Sequence, residues 1–231
     1  MRLRALTIII AGFALILANT CPAGSATPPP DVFDIGSAGM PTITGSLGGS
    51  AIGLPGTFSD LMVTVNFGEL SPINRNRIVK VIVPIAIRST DPYQVSMSVA
   101  GAFSNDPNAL QLADIGFGIQ NLRRLGNKGT HCGANSIITP PFNHDPELTV
   151  NQAGPVTYQA TLATVGPSKV ILRGPKLTNG NIKPRRNDNG WAFDVVLAVV
   201  PQYFTSGSFS ATLVFTMAPG PPFECHGASG L

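Results

Sequence analysis

Apolar and polar residues alternate one for one along much of the chain. Leu61, Val63, Val65 and Phe67 are separated by Met62, Thr64 and Asn66. In IVKVIVPIAIR (78–88), Val79, Val81, Val83, Ile85 and Ile87 share a face opposite Lys80, Pro84, Ala86 and Arg88. YQVSMSVA (93–100) repeats the pattern with Tyr93, Val95, Met97 and Val99. Near the C-terminus Phe209, Ala211, Leu213, Phe215 and Met217 alternate with Ser210, Thr212, Val214 and Thr216. A two-residue period predicts strands with one buried face. Fully burying one such large side chain is worth roughly 1.5–3 kcal/mol, so these residues form the expected core.

Further segments extend the pattern. WAFDVVLAVV (191–200) is apolar on both faces apart from Asp194 and predicts a central strand. IGFGIQNL places Ile115, Phe117 and Ile119 on one face and Gly116 and Gly118 on the other. Glycine weakens a strand unless another group lies close above it. LTV (148–150), VTYQATL (156–162) and KVILR (169–173) predict short strands. Pro84 removes one ladder donor and predicts an edge or a bulge there. The short STDP turn predicts a hairpin between the strands on either side of it. No amphipathic helix and no internal repeat is evident. The sum is about nine strands, which predicts an all-β fold, an antiparallel β-sandwich or barrel.

Punctuation divides the chain. Residues 27–58 are rich in Gly and Pro and predict an N-terminal arm in which only Pro41 to Thr44 is extended, although Ile43, Ile52 and Leu54 could pair with a sheet edge. Residues 59–219 form one expected β-sandwich domain, and 220–231 a short tail. Two long irregular segments interrupt the domain, 123–147 and 174–190. Loops of that length within a compact domain tend to be functional or cross-linked.

The first residues change the expected compartment. MRLR precedes an apolar run from Ala5 to Ala18, followed by small residues in CPAGSA. This is the anatomy of a secretory signal peptide, residues 1–26, with cleavage after Ser25 or Ala26. An uncleaved anchor and lipidation at Cys21 are alternatives, the latter opposed by Thr20 before the cysteine. Secretion, the periplasm or the cell surface is the expected location, with no membrane span after cleavage. Loss of Arg2 and Arg4 brings the formal charge from +3 to +1, so charge makes no case for nucleic acid or a membrane surface. Charged residues are 12% of the chain and hydrophobic ones 43%, a composition that can fill a core.

Cys132 and Cys225 remain after cleavage, and an even pair in an exported protein is expected to form a disulfide. Closing a loop of roughly 94 residues contributes about 4–5 kcal/mol on the chain-entropy model. Free thiols, or a metal held by His131, Cys132, Cys225 and His226, are the alternatives. Adjacent strand residues point to opposite faces, so such a metal site needs irregular loops.

The last two predicted strands, WAFDVVLAVV and SGSFSATLVFTM joined through PQYFTSGS, resemble the closing hairpin of secreted bacterial Ig-like β-sandwiches. Spore-coat-U-like, pilin-like and WxL-like domains end similarly. IRSTDPYQVSMSV is similar to their early hairpin. The resemblance spans about fifty residues of common β-sandwich motifs and implies an Ig-like fold. Trp191 lacks the WxL spacing and no pilin donor-strand signature occurs, so no functional residue is carried over.

Catalytic patterns are absent: no G-x-S-x-G, H-E-x-x-H, Walker loop or dinucleotide fingerprint occurs. A Cys–His–Asp nucleophilic site from Cys132, Asp145 and either His131 or His144 would need the thiol that the disulfide consumes. NDNG (187–190) lacks the ligand spacing of a calcium loop and predicts a tight turn. No cofactor and no metal is expected. The concentrated charge is basic: Arg75 with Arg77, Arg123 with Arg124, and Lys183 with Arg185 and Arg186. Arginine pairs grip carboxylates, sulfates or phosphates bidentately. Convergence of the two long loops would make a binding rim of Arg123, Arg124, Lys183, Arg185 and Arg186. The expected function is a non-enzymatic surface, adhesion or assembly module with a protein or glycan ligand. A subunit that self-associates by strand exchange through its arm, and a secreted hydrolase or metal-dependent enzyme on the same scaffold, are the alternatives.

Overall fold

The computed structural model describes residues 32–46, 48–55, 59–70, 78–100, 106–125, 137–177, 190–202, 204 and 209–222. In chain order these hold β1 (Phe33–Ser37), β2 (Thr42–Thr44), β3 (Ser50–Pro55), β4 (Asp60–Asn66), β5 (Val79–Ser89) and β6 (Tyr93–Ala100). After them come β7 (Gly116–Leu125), β8 (Ile137–Ile138), β9 (Lys169–Gly174), β10 (Gly190–Val199) and β11 (Ser210–Pro219). Two four-residue helices, α1 (Pro146–Thr149) and α2 (Leu162–Val165), and a 3₁₀ turn (Leu112–Asp114) complete the elements.

The strands make two antiparallel sheets. One runs β1-β5-β10-β7, with β2 beside β1 on the same edge of β5. The other runs β3-β4-β11-β6-β9-β8. The alternation in sequence explains why they stack. Leu61, Val63 and Val65 of β4 and Leu213, Phe215 and Met217 of β11 point into the same core as Val81, Val83, Ile85 and Ile87 of β5.

Both expected hairpins are corrected. β5 and β6 lie in different sheets, as do β10 and β11. Each pair of consecutive strands therefore passes from one sheet to the other, and β11 sits between β4 and β6 within its sheet. A hairpin and a crossing between sheets bury the same alternate residues, so periodicity does not separate them. The strand count also differs: eleven strands occur among the described residues. Three of them, β1 to β3, come from the segment expected to be an arm, and they pair with β5 and β4 of their own chain. Two expected strands are absent. Leu148 and Thr149 fall in α1 with Val150 as its C-cap, and VTYQATL makes only isolated bridges before α2.

β10 is central, as its composition predicts, lying between β5 and β7 with all ten residues buried. Its inner face meets the core and its outer face is covered by residues 142–158. The His144 carbonyl and Pro146 lie over Gly118, and the Tyr158 ring lies over Gly116. A Cβ on Gly118 would stand 2.2 Å from the His144 oxygen. This is the close neighbour that the two glycines call for. The same segment seals the edge of β7, since Ile119 N–H donates to the Phe142 carbonyl (2.7 Å) and Phe117 N–H to that of Ala160 (3.0 Å). Phe142 packs edge-to-face on Phe117, 5.0 Å between centroids.

Pro84 is not at an edge of the sheet. β10 flanks β5 on one side, and β1 and β2 flank it on the other. Ala38 N–H donates to the Pro84 carbonyl (2.9 Å), so the proline nitrogen faces the side of β1 and β2. It falls opposite the break between those two short strands, where no donor is required.

Candidate recognition surface

The expected loop 123–147 is corrected: Arg123 and Arg124 belong to β7, and residues 137–147 form β8, the start of α1 and part of the outer cover. The register brings the stems of 126–136 and 178–189 to one end of the sheets. Leu125, the last residue of β7, pairs with Gly190, the first of β10. Ile137 of β8 pairs with Arg173 of β9. The segments 126–136 and 178–189 therefore leave from and return to neighbouring strand ends. Lys183, Arg185 and Arg186 lie outside the described residues, as do Arg75, Arg77, His131, Cys132, Cys225 and His226.

Arg123 and Arg124 are described, and they diverge. Register shifts between Ala192 and Asp194, and Asn121 there takes a positive φ of 54°. This bulge inserts an extra residue and re-aims the side chains beyond it. Arg123 then stands opposite Ala192 on the outer face, and Arg124 opposite Trp191 on the core side. The Asp194 carboxylate accepts from Asn121 Nδ2 (2.8 Å) and from Arg123 Nη1 (3.1 Å). Its side chain is 12% exposed against 45% for Arg123, so the one polar residue of β10 is satisfied by the bulge. Arg124 instead lies over the Trp191 ring, 5.8 Å from its centroid. The Trp191 indole nitrogen beneath is buried and lacks a hydrogen-bond partner among the described residues. The pair is thus not a bidentate grip: one arginine is structural and the other is available.

Neighbouring charges refine the surface. Arg88 pairs with Asp34 at 2.6 Å. Arg173 near the end of β9 and Lys176 at the start of the second loop, like Arg124, have no ion pair among the described residues. Neither belongs to a basic pair, so pairing of charges in sequence does not find them, although R-G-P-K at the mouth of a loop is a visible signal.

The remaining ionisable cluster is structural. Lys80 Nζ reaches Asp145 Oδ2 (2.6 Å) and Glu147 Oε2 (2.8 Å), tying α1 to the outer face of β5. Desolvation alone would lower the Lys80 pKa, but the two carboxylates outweigh it and hold the pKa above its ordinary 10.5. Asp145 also caps α1 by accepting from Glu147 N–H (3.0 Å). His144 faces the Pro141 carbonyl through Nδ1 (2.7 Å), so His144 and Asp145 do not pair with each other. Among the described residues no group of three His, Cys, Asp or Glu side chains is placed to hold a metal, and no helix is long and apolar enough to cross a membrane.

Compared with known protein families, with curated proteins and with solved structures, the chain matches none.

Proposed function

We propose that this chain is an exported, non-enzymatic recognition module, an Ig-like β-sandwich that uses its loop end for surface adhesion or assembly. The observation that carries the reading is the pairing of Leu125 with Gly190 and of Ile137 with Arg173. It gathers both loop stems beside Arg124, Arg173 and Lys176, which have no ion pair among the described residues. Lys183, Arg185 and Arg186 belong to the same loops by sequence. A rigid sheet framework with loops at one end is the usual layout of a binding surface. Its cations favour an acidic partner, an anionic glycan or a carboxylate-rich protein face. Two observations weigh against the alternatives. β1 to β3 are already paired within their own chain, and the carboxylate beside His144 is committed to Lys80 and to α1.

Trp191 is the single tryptophan of the chain and lies under Arg124, so its emission reports on this end. Titrating the full chain with heparin as an anionic probe should give saturable, salt-sensitive quenching or shift. Charge reversal at Arg124, or at Arg185 and Arg186 together, should weaken binding at least tenfold. An unchanged emission and no binding by calorimetry would remove the assignment of this end as an acidic-ligand site.

A further inference from the structure

At the opposite end of the sheets, roughly 30 Å away along the ten residues of β10, a cavity of about 440 Å³ opens between the 3₁₀ turn and the chain leaving β10. That size lies within the range of small-ligand sites, about 300–1,000 Å³. Asn108, Asp114, Gln202 and Phe204 line it together with Pro107 and Pro201.

The walls are pre-set. Asp114 Oδ2 accepts from Gln111 N–H (2.9 Å), and Gln111 Nε2 donates to the carbonyls of Asp106 (2.9 Å) and Ala109 (3.1 Å). On the other wall Val200 N–H donates to the Tyr158 hydroxyl (2.9 Å), fixing the chain just before Pro201. Burial, backed by the negative charge of Asp114, raises the Tyr158 pKa despite the Val200 hydrogen bond and keeps that hydroxyl protonated. Phe204 rests edge-to-face on Phe209, 6.2 Å between centroids.

The chemistry of the lining defines the ligand that would fit. The second Asp114 oxygen and the side-chain amides of Asn108 and Gln202 have no hydrogen-bond partner among the described residues. They supply acceptors and donors at several points. Phe204 and the two prolines supply apolar surface. No cation lines the cavity among the described residues, and the Asp114 charge repels anions. Phosphates, nucleic acids and uronic acids are thereby disfavoured, and a lone carboxylate does not make a metal site. A ring with hydroxyls on its rim and C–H groups on its face matches this lining.

We propose that this cavity is a neutral-saccharide subsite, in which Asp114, Asn108 and Gln202 bind hydroxyls and Phe204 packs on the sugar ring. It is separate from the loop end and does not depend on the assignment made there. The test is saturation-transfer NMR of the full chain with methyl glycosides of glucose, galactose, mannose, N-acetylglucosamine and glucuronic acid. At least one neutral glycoside should bind saturably, and methyl glucuronoside should bind at least tenfold more weakly. Asp114→Asn keeps an acceptor for Gln111 N–H, and Gln202→Ala alters only a side chain at the cavity wall. Each should lower affinity at least threefold with unchanged thermal unfolding, and Phe204→Ala about tenfold. Arg185→Glu with Arg186→Glu should leave glycoside binding intact. No saturable transfer from any neutral glycoside, or equal binding by wild type and all three cavity variants, would overturn the proposal. Preferential binding of the glucuronoside would overturn the neutral class and move the sugar to the basic end.

Discussion

Single positions carry much of this fold's specificity. Gly118 faces a backbone carbonyl, which has little room to give. Gly118→Ala should therefore destabilise the protein by about 1–3 kcal/mol, seen as a lower midpoint in urea unfolding. Tyr158→Phe removes the acceptor of Val200 N–H and leaves a buried donor unsatisfied, at a cost of about 1–3 kcal/mol. Part of this was legible. Two glycines on one face of a strand announce that something lies close above them. Sequence does not say what, because His144 and Tyr158 approach through tertiary packing. The outward facing of Arg123 rather than Arg124 was hidden for a related reason. Strand alternation alone sends neighbours to opposite faces; which of the two faces outward is set by a bulge whose only local sign is an asparagine, a residue that tolerates positive φ.

For elements, alternation reports which side chains face inward but not which strands share hydrogen bonds. β4, β5, β6, β10 and β11 were readable on that basis, and the two crossings between sheets were not. LTV alternates like a strand yet Leu148 and Thr149 fall in α1, because the preceding D-P-E supplies an N-cap, a first-turn proline and an acidic residue in order. Pro84 offers a test of the pairing itself. Alternate residues of β5 bond toward β1, so the Ala86 N–H is committed to that ladder while the Pro84 position is not. Pro84→Ala should change stability by less than about 1 kcal/mol. Ala86→Pro should cost about 3 kcal/mol or more. Equal effects in chemical denaturation would contradict the register. Lys80 gives the α1 strap an alkaline limit. Its pKa is raised by folding, so its contribution is fully present below the unfolded value of 10.5 and is lost as pH rises through the folded value. Thermal unfolding should show a steeper alkaline decline in wild type than in Lys80→Met.

The whole molecule is an all-β pair of sheets around one core, as composition and periodicity indicated. Its candidate surface was legible as a set of basic residues but not as a place, since convergence of two loops is set by strand order. The same order bears on the cysteines, which lie outside the described residues. Pro219 pairs with Tyr93 and Tyr93 with Gly174, so the chain leaves β11 at the end from which the Cys132 segment departs. Under the proposed export and disulfide, a thiol titration of the unfolded, unreduced protein without residues 1–26 should find no free cysteine. Cys132→Ser with Cys225→Ser should lower stability, by up to about 4–5 kcal/mol on the chain-entropy model.

β10 has partners on both edges and cover on both faces. Its amide hydrogens can reach solvent only when the neighbouring strands and the 142–158 cover open together. In deuterium labelling they should be the last to exchange, at a rate set by global unfolding, while those of β3 at the rim of the other sheet go early. A molecule so built keeps one buried line closed to solvent until it unfolds as a whole.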